Sequence, residues 1–446
     1  MKRRRRAPKA GTAGSEPVRR GPRVGLFGLF GSGNFGNDAS LEAMVGLVRR
    51  ACPDAHLVCF CDGPERVRRM LSIDVVPMSL LDLRHAGRFA RRLLRVLGAG
   101  PSLVRAMAQT RRLDALIIPG TGILDDFCSG PLGVPLDVFV WCLAARLTRT
   151  PIWFASIGAG PILHPLSRWL MVAAAKLAQY RSYRDASSKS FLSRAGVDTF
   201  GDLVFPDLAF DLPRPDANAR PPEEPLTVGV GVMEYWGWRD SADFSSAIHG
   251  SYQDRLSRFC VWLLERGYRV RLLPGDDMDH RAIRALRVLL EVRLSDPSLV
   301  HNVIAEPAHD LADVMTQMAR TDVIVATRYH SLVCALKMGK PTLSLSYAEK
   351  NAALLEDAGL DRYVEHVEGF EVERLKGRFE ELVAERATLA QSIAAFGALT
   401  KKRLQHQEEL LRARLRGIGT GEDNSGPAGR PVTMIGSPRS RGEHRI

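Results

Sequence analysis

Short apolar runs that end in glycine or a polar cluster, each followed by a helical pattern, recur along this chain and most constrain its fold. Val24–Phe30 is the first. Leu41, Met44, Val45 and Val48 follow it at i, i+3, i+4 and i+7, one face of a helix. His56–Cys61 is the second. Leu113–Pro119 ends in Gly120-Thr121-Gly122, and Pro151–Ile157 ends in Gly158-Ala159-Gly160-Pro161. Tyr180–Tyr183 and Leu203–Phe205 read as short later strands. Repetition of this kind belongs to a parallel sheet covered by helices. Residues 211–225, DLPRPDANARPPEEP, interrupt the series and read as an interdomain linker. A second series follows: Leu226–Val232, Arg269–Leu273, Leu299–Val303, Asp322–Ala326 and Thr342–Leu345. The 446-residue chain therefore reads as two Rossmann-like α/β domains, 23–212 and 226–372, with a linker at 213–225. Residues 373–416 read as long helices. The ends, 1–22 and 417–446, read as disordered tails.

Inside the first strand-to-helix turn, Gly31-Ser32-Gly33-Asn34-Phe35-Gly36 spells GxGxxG. A dinucleotide site needs such glycines, with the pyrophosphate on the helix N-terminus and an acid some way downstream, where Asp62 stands. Two features oppose that reading. The helical period starts only at Leu41, and the natural N-cap is Asn37 or Asp38, an aspartate where the pyrophosphate would lie. A glycine turn lining the interdomain cleft is the better expectation.

The formal charge of +12 is uneven. Residues 1–23 hold nine Lys or Arg against Glu16, and residues 417–446 four Arg against three acids, which leaves about +3 for the body. Basicity thus describes the tails rather than a groove, and no nucleic-acid partner is expected. No apolar stretch follows the N-terminal charges, so they do not read as a secretory signal. No run of about 18 apolar residues offers a membrane span. The seven cysteines are scattered without a CxxC pair, which suits buried thiols in a reducing compartment and gives no metal site. Between Leu83 and Leu113 there are eight Arg and no Asp or Glu, interleaved with Leu and Val. That stretch suits a basic amphipathic helix on an anionic bilayer. It equally suits a surface helix with Arg toward water, broken in two by Gly98-Ala99-Gly100-Pro101.

In the second half, Asp322–Ala326 is a buried strand that stops at Thr327-Arg328-Tyr329-His330-Ser331, and a helix runs through Leu332–Met338. Ligands of open α/β sheets bind beyond the carboxyl ends of strands. Arg328 offers a planar fork for a carboxylate or phosphate, beside a helix N-terminus that favours anions. His330 can pass protons near neutral pH. The alternative is an Arg bound to a neighbouring carboxylate and a satisfied, partly buried His.

An ordered set of segments resembles the polysaccharide pyruvyl transferase family, from Val24 to Tyr363. Gly33-Asn34-Phe35-Gly36-Asn37-Asp38-Ala39 is similar to the family's GNxGDEA. Pro119–Asp126 is similar to its glycine run followed by Asp. Ile157–Pro161 comes next, then Tyr183-Arg184-Asp185-Ala186-Ser187-Ser188, similar to its xRDxxS, and Pro206–Phe210, similar to its DxxF. Arg328-Tyr329-His330 follows with Gly339-Lys340-Pro341 and Ser346–Lys350. Departures are Asn37 and Asp38 for Asp-Glu, Thr121 within the glycine run, and Tyr183 for a small residue.

The resemblance implies a GT-B-like fold with the two domains facing a cleft. It implies phosphoenolpyruvate as donor substrate, no cofactor, and a pyruvate ketal formed on a sugar of a surface glycan or lipid-linked saccharide. His330 and Arg328 are then the catalytic candidates. Arg184, Ser331, Gly33, Asn34, Gly36, His164 and Lys350 are the substrate-binding candidates, and Asp125-Asp126 cap the segment that follows them. A cytoplasmic protein, with peripheral contact at the inner membrane, is the expected setting. The rival readings are a GT-B glycosyltransferase using a nucleotide sugar, with Glu349 as the ribose acid, and a non-catalytic glycan-binding protein of the same fold.

Overall fold

A computed structural model describes residues 21–79, 88–126, 129–215, 225–237 and 242–420. The tails up to residue 20 and from 421, residues 80–87 of the basic stretch, and 216–224 of the linker lie outside the described residues.

The first sheet is built from β1 (Arg23–Gly28), β2 (His56–Cys61), β3 (Asp74–Pro77), β4 (Ala115–Pro119), β5 (Ile152–Ile157), β6 (Tyr180–Tyr183) and β7 (Leu203–Val204). The second holds β8 (Thr227–Gly231), β9 (Arg269–Leu273), β10 (Val303–Ile304), β11 (Val323–Ala326), β12 (Thr342–Ser346) and β13 (Val364–His366). Their orders are β3-β2-β1-β4-β5-β6-β7 and β10-β9-β8-β11-β12-β13, with every pairing parallel. β4, β5, β11 and β12 are buried along their whole length, as strands covered by helices on both faces must be. Each sheet reverses its winding once, between β1 and β4 and between β8 and β11. Those two points are where such folds bind ligands.

Several local expectations are corrected. The first helix spans Phe35–Ala51 and its N-cap is Asn34, whose side chain accepts from Gly36 N and Asn37 N at 3.1 Å. Its first turn is nearly all buried, so no apolar-polar alternation marks the start. Leu299–Val303 is mostly a 3-10 turn, Pro297–Asn302, and only Val303–Ile304 pair as a strand. Gly98-Ala99-Gly100-Pro101 does not break the basic stretch: one helix runs Arg88–Thr110 with Pro101 inside. At the C-terminal end the helix continues to Thr420, past the expected start of a tail at 417.

That last helix, Arg386–Thr420, returns to the first domain. Gln407 Oε1 accepts from Ser156 Oγ at 3.0 Å and Gln407 Nε2 donates to Ser182 Oγ at 3.2 Å. Ser156 sits at the irregular end of β5 with φ 52°, a left-handed position unusual for serine. The main apolar core is continuous between the domains. The turn Leu208–Asp211 joins it beside Leu332 and Leu336 of the second domain.

Candidate active site

The chain leaves β7 at Pro206-Asp207. Asp207 starts the turn Leu208–Asp211, its Oδ1 accepting from Ala209 N at 2.9 Å. Its Oδ2 faces two basic side chains, Arg184 Nη1 at 3.4 Å and His330 Nε2 at 3.6 Å. Burial pushes this carboxyl up, but His330, Arg184 and the Ala209 N–H outweigh it and hold Asp207 below its ordinary range.

Arg184 follows β6 and is wedged under a glycine. A Cβ on Gly158 would lie 2.5 Å from the Arg184 Cζ. The guanidinium stacks 4.4 Å from the centre of the Tyr329 ring, and its Nε, 3.5 Å from Asp185 Oδ2, makes no hydrogen bond although buried. Burial pulls the Arg184 pKa down, yet Tyr329, Asp207 and Asp185 together raise it above the ordinary guanidinium value.

His330 is the second residue of the helix Tyr329–Lys337 that follows β11. No side chain caps that helix, so its first N–H groups are open to an anion. The ring crosses to the first domain and lies on the glycine loop: a Cβ on Gly36 would stand 1.8 Å from His330 Nδ1. Nε2 is buried against Asp207, and Nδ1 is on the Gly36 side of the ring.

Arg328 is engaged by a carboxylate. Its Nε and Nη2 donate to Asp279 Oδ2 and Oδ1, both at 2.7 Å, and Nη1 faces Asp276 at 3.7 Å. Asp279 is filled by two further donors, Glu234 N and Gly275 N, each at 2.9 Å. Burial lowers the Arg328 pKa, and Asp279 and Asp276 raise it beyond that loss. Beside it, Ser331 Oγ is buried without a hydrogen bond. Lys350 Nζ lies 5.3 Å from the Tyr347 ring centre and 5.9 Å from that of Tyr329, so two cations flank Tyr329.

A family model described as polysaccharide pyruvyl transferase matches residues 34–349, which take in Gly36, Arg184, Asp207 and the Arg328–His330 segment. The chain belongs to the polysaccharide pyruvyl transferase family. Among curated relatives, the amylovoran biosynthesis protein AmsJ of Erwinia amylovora is 22% identical over 275 residues, 58% of this chain and 62% of that protein. The chain thus matches less than two thirds of that relative's length. Among solved structures, S. aureus MnaA bound to UDP superposes with a TM-score of 0.55 at 12% identity, covering 83% of this chain and 90% of that one. A glycosyltransferase from Rickettsia africae ESF-5 gives 0.55 at 10% identity, over 89% and 98%. At these identities the likeness is one of fold, and the fold is GT-B.

In this member of the family the structure brings His330, Arg184 and Lys350 around Tyr329, with Gly36 against the His330 ring and Arg328 and Ser331 flanking the pair in sequence. Gly33 and Asn34 are turned to the domain boundary. Gly33 O accepts from Asp277 N at 3.0 Å, and Asn34 pairs with Asp276 in an isolated bridge. Asp38 lies within the glycine loop, its Oδ1 accepting from Gly31 N at 2.6 Å and its Oδ2 3.0 Å from Arg66 Nε. A carboxylate therefore fills the turn where a pyrophosphate would sit. His164 is not drawn into the group. It is exposed and caps the helix Pro165–Leu177, Nδ1 accepting from Leu166 N at 3.1 Å. Asp126 accepts from Leu163 N and His164 N, in the loop after β5. Residues 127 and 128, which it is expected to cap, lie outside the described residues.

Sequence reasoning gave no role to Asp207, Asp279 or Tyr329. For Asp207 a signal existed, an Asp heading the apolar DLAF just after a strand, which is a capping pattern. For Asp279, within a run of charged residues, none did.

Proposed function

We propose that this chain transfers the pyruvyl group of phosphoenolpyruvate to two hydroxyls of a sugar in a polysaccharide or its lipid-linked precursor, releasing phosphate. One observation carries the reading. Buried side-chain atoms without hydrogen bonds flank the helix start at Tyr329: Arg184 Nε, of the guanidinium stacked on the Tyr329 ring, and Ser331 Oγ, two residues further on. Buried polar atoms are normally paired, so unpaired ones next to an uncapped helix start suit a dianionic, oxygen-rich ligand.

The chemistry follows from the atoms. Phosphoenolpyruvate is an enol phosphate, so its methylene carbon must gain a proton while a hydroxyl oxygen bonds to C2. Protonated His330, its charge supported by Asp207, delivers that proton from Nδ1. Nδ1 then takes the proton of the attacking hydroxyl. The second hydroxyl oxygen displaces the phosphate at C2, and its proton leaves with that group. Arg184 and Lys350 meet the carboxylate and phosphate, and Arg328 adds positive charge from behind the helix start. Electrostatic support of the departing phosphate is the largest contribution.

Thermal shift of the full chain tests the reading. Phosphoenolpyruvate at 100 times its dissociation constant adds roughly 2.7 kcal/mol, a plain rise in Tm. NADH and a uridine diphosphate sugar should give none. A rise with the nucleotide sugar alone would favour a glycosyltransferase, and one with NADH alone a dehydrogenase.

A further inference from the structure

Three helices cover one face of the first sheet: Arg88–Thr110, Val134–Leu147 and Pro165–Leu177. They pack in that order, on the face opposite the helix Phe35–Ala51. Together they hold eight Arg or Lys and one acid, Asp137, which is tied to Arg95 at 2.8 Å. Their excess of +7 exceeds the +3 of the whole body, so the remaining body is net acidic. In these three helices basic residues thus outnumber acidic ones, whereas the rest of the body holds 41 Lys or Arg against 45 acids.

The same layer exposes apolar side chains. Leu97 and Val104 of the first helix are 66% and 67% exposed. Leu163, Leu166 and Trp169 are exposed at the start of the third, Trp169 59% so, with its ring 5.5 Å from Phe139. Arg168 and Lys176 are exposed on the same helix. Among the described residues no helix is long and apolar enough to cross a membrane.

We propose that this layer is a docking surface for an anionic lipid bilayer. Exposed Trp and Leu beside Arg and Lys make up the composition that enters the headgroup boundary, apolar groups inserting and cations meeting lipid phosphates. A second copy of the chain fits poorly, because a symmetric contact would set one cationic layer against another. All three helices start at the carboxyl ends of strands, the edge that also carries the glycine loop and Arg184. Docking would therefore hold the cleft near the lipid surface, beside any lipid-linked sugar. The inference goes beyond the transfer reaction and is independent of its donor.

Co-sedimentation of the full chain with vesicles tests it. Wild type should sediment with vesicles containing phosphatidylglycerol, less so at high salt, and not with pure phosphatidylcholine. Leu166→Ser with Trp169→Ser, and separately Arg168→Glu with Lys176→Glu, should each weaken partitioning by about tenfold or more with an unchanged melt. Replacing Arg3–Arg6 by Gln separates the basic N-terminus and should leave most of the binding. The proposal is overturned if both double variants sediment like wild type, or if only the Arg3–Arg6 variant loses binding. It also fails if wild type does not sediment with the phosphatidylglycerol vesicles.

Discussion

Gly36 and His330 touch across the domain boundary, so closely that a Cβ on the glycine would stand 1.8 Å from the His330 Nδ1. The glycine is therefore a matter of space at this position. The loop that spells a dinucleotide motif is a hollow for an imidazole. The same contact joins the two domains at the ring nitrogen that is not against Asp207.

Gly36→Ala follows directly. The new methyl has no room unless the ring or the loop moves, and the ring is held on its far side by Asp207. Turnover should fall by at least ~10²-fold, the low end for loss of a positioned acid/base group. Ser40→Ala, one turn along the same helix, removes a hydroxyl that donates to Gly36 O at 3.0 Å and should leave most of the activity. An active Gly36→Ala enzyme would show that Nδ1 is not the working nitrogen.

His330→Gln keeps a polar side chain but cannot accept and return a proton. Phosphoenolpyruvate should still raise Tm, while kcat drops by roughly 10²–10⁴-fold. Normal turnover in this variant would make His330 structural, and His164 would be the next residue to replace.

Arg184 and Arg328 should respond differently to Lys. Arg184→Lys loses the fork and the stacking on Tyr329 at an atom with a free N–H, so the loss should appear in ligand affinity. Arg328→Lys loses one arm of the pair to buried Asp279. Asp279 is fully buried, so the weakened pair should appear first in the melt. Urea denaturation beside ligand titration separates the two. Equal effects on both measurements for both variants would refute the division.

Asp207→Asn carries a pH signature. The native carboxyl titrates below its unfolded value of 3.8, so its contribution is complete above that pH and fades as pH falls through the native value. The stability gap between wild type and Asp207→Asn should close as pH falls below about 4. A gap that widened as pH fell from about 5 to about 3 would mean that burial dominates and the pKa is raised instead.

The sheets were legible because their strands are near-continuous apolar runs. Asp74–Pro77 and Val364–His366 were missed because they are short edge strands carrying charge, with no apolar run to mark them. The Arg328–His330 segment was legible from its place at a strand end. The partners were not. Asp279 reaches Arg328 from the start of another helix, and Asp207 reaches His330 from the other domain, so only folding defines those pairs. The contact of Gly36 with His330 was hidden for the same reason, and the glycine was read as a turn residue. The helix Arg88–Thr110 was legible in charge but not in continuity, since Pro101 is accommodated within it.

The returning helix Arg386–Thr420 sets an order on synthesis. Gln407 closes the hydroxyls of Ser156 and Ser182, and Glu408 holds Arg50 of the first helix at 2.8 Å, yet all of the second domain is made in between. At ~5–20 residues per second, the ribosome reaches Gln407 on the order of 10–40 s after finishing the first sheet. For that interval the first domain exists with an uncovered flank, and the left-handed Ser156 of β5 has the bond from its N–H to Ser182 Oγ but not the one from its hydroxyl to Gln407. The domain made first is completed last, and a nascent chain of this kind is a natural client for a chaperone until its final helix emerges.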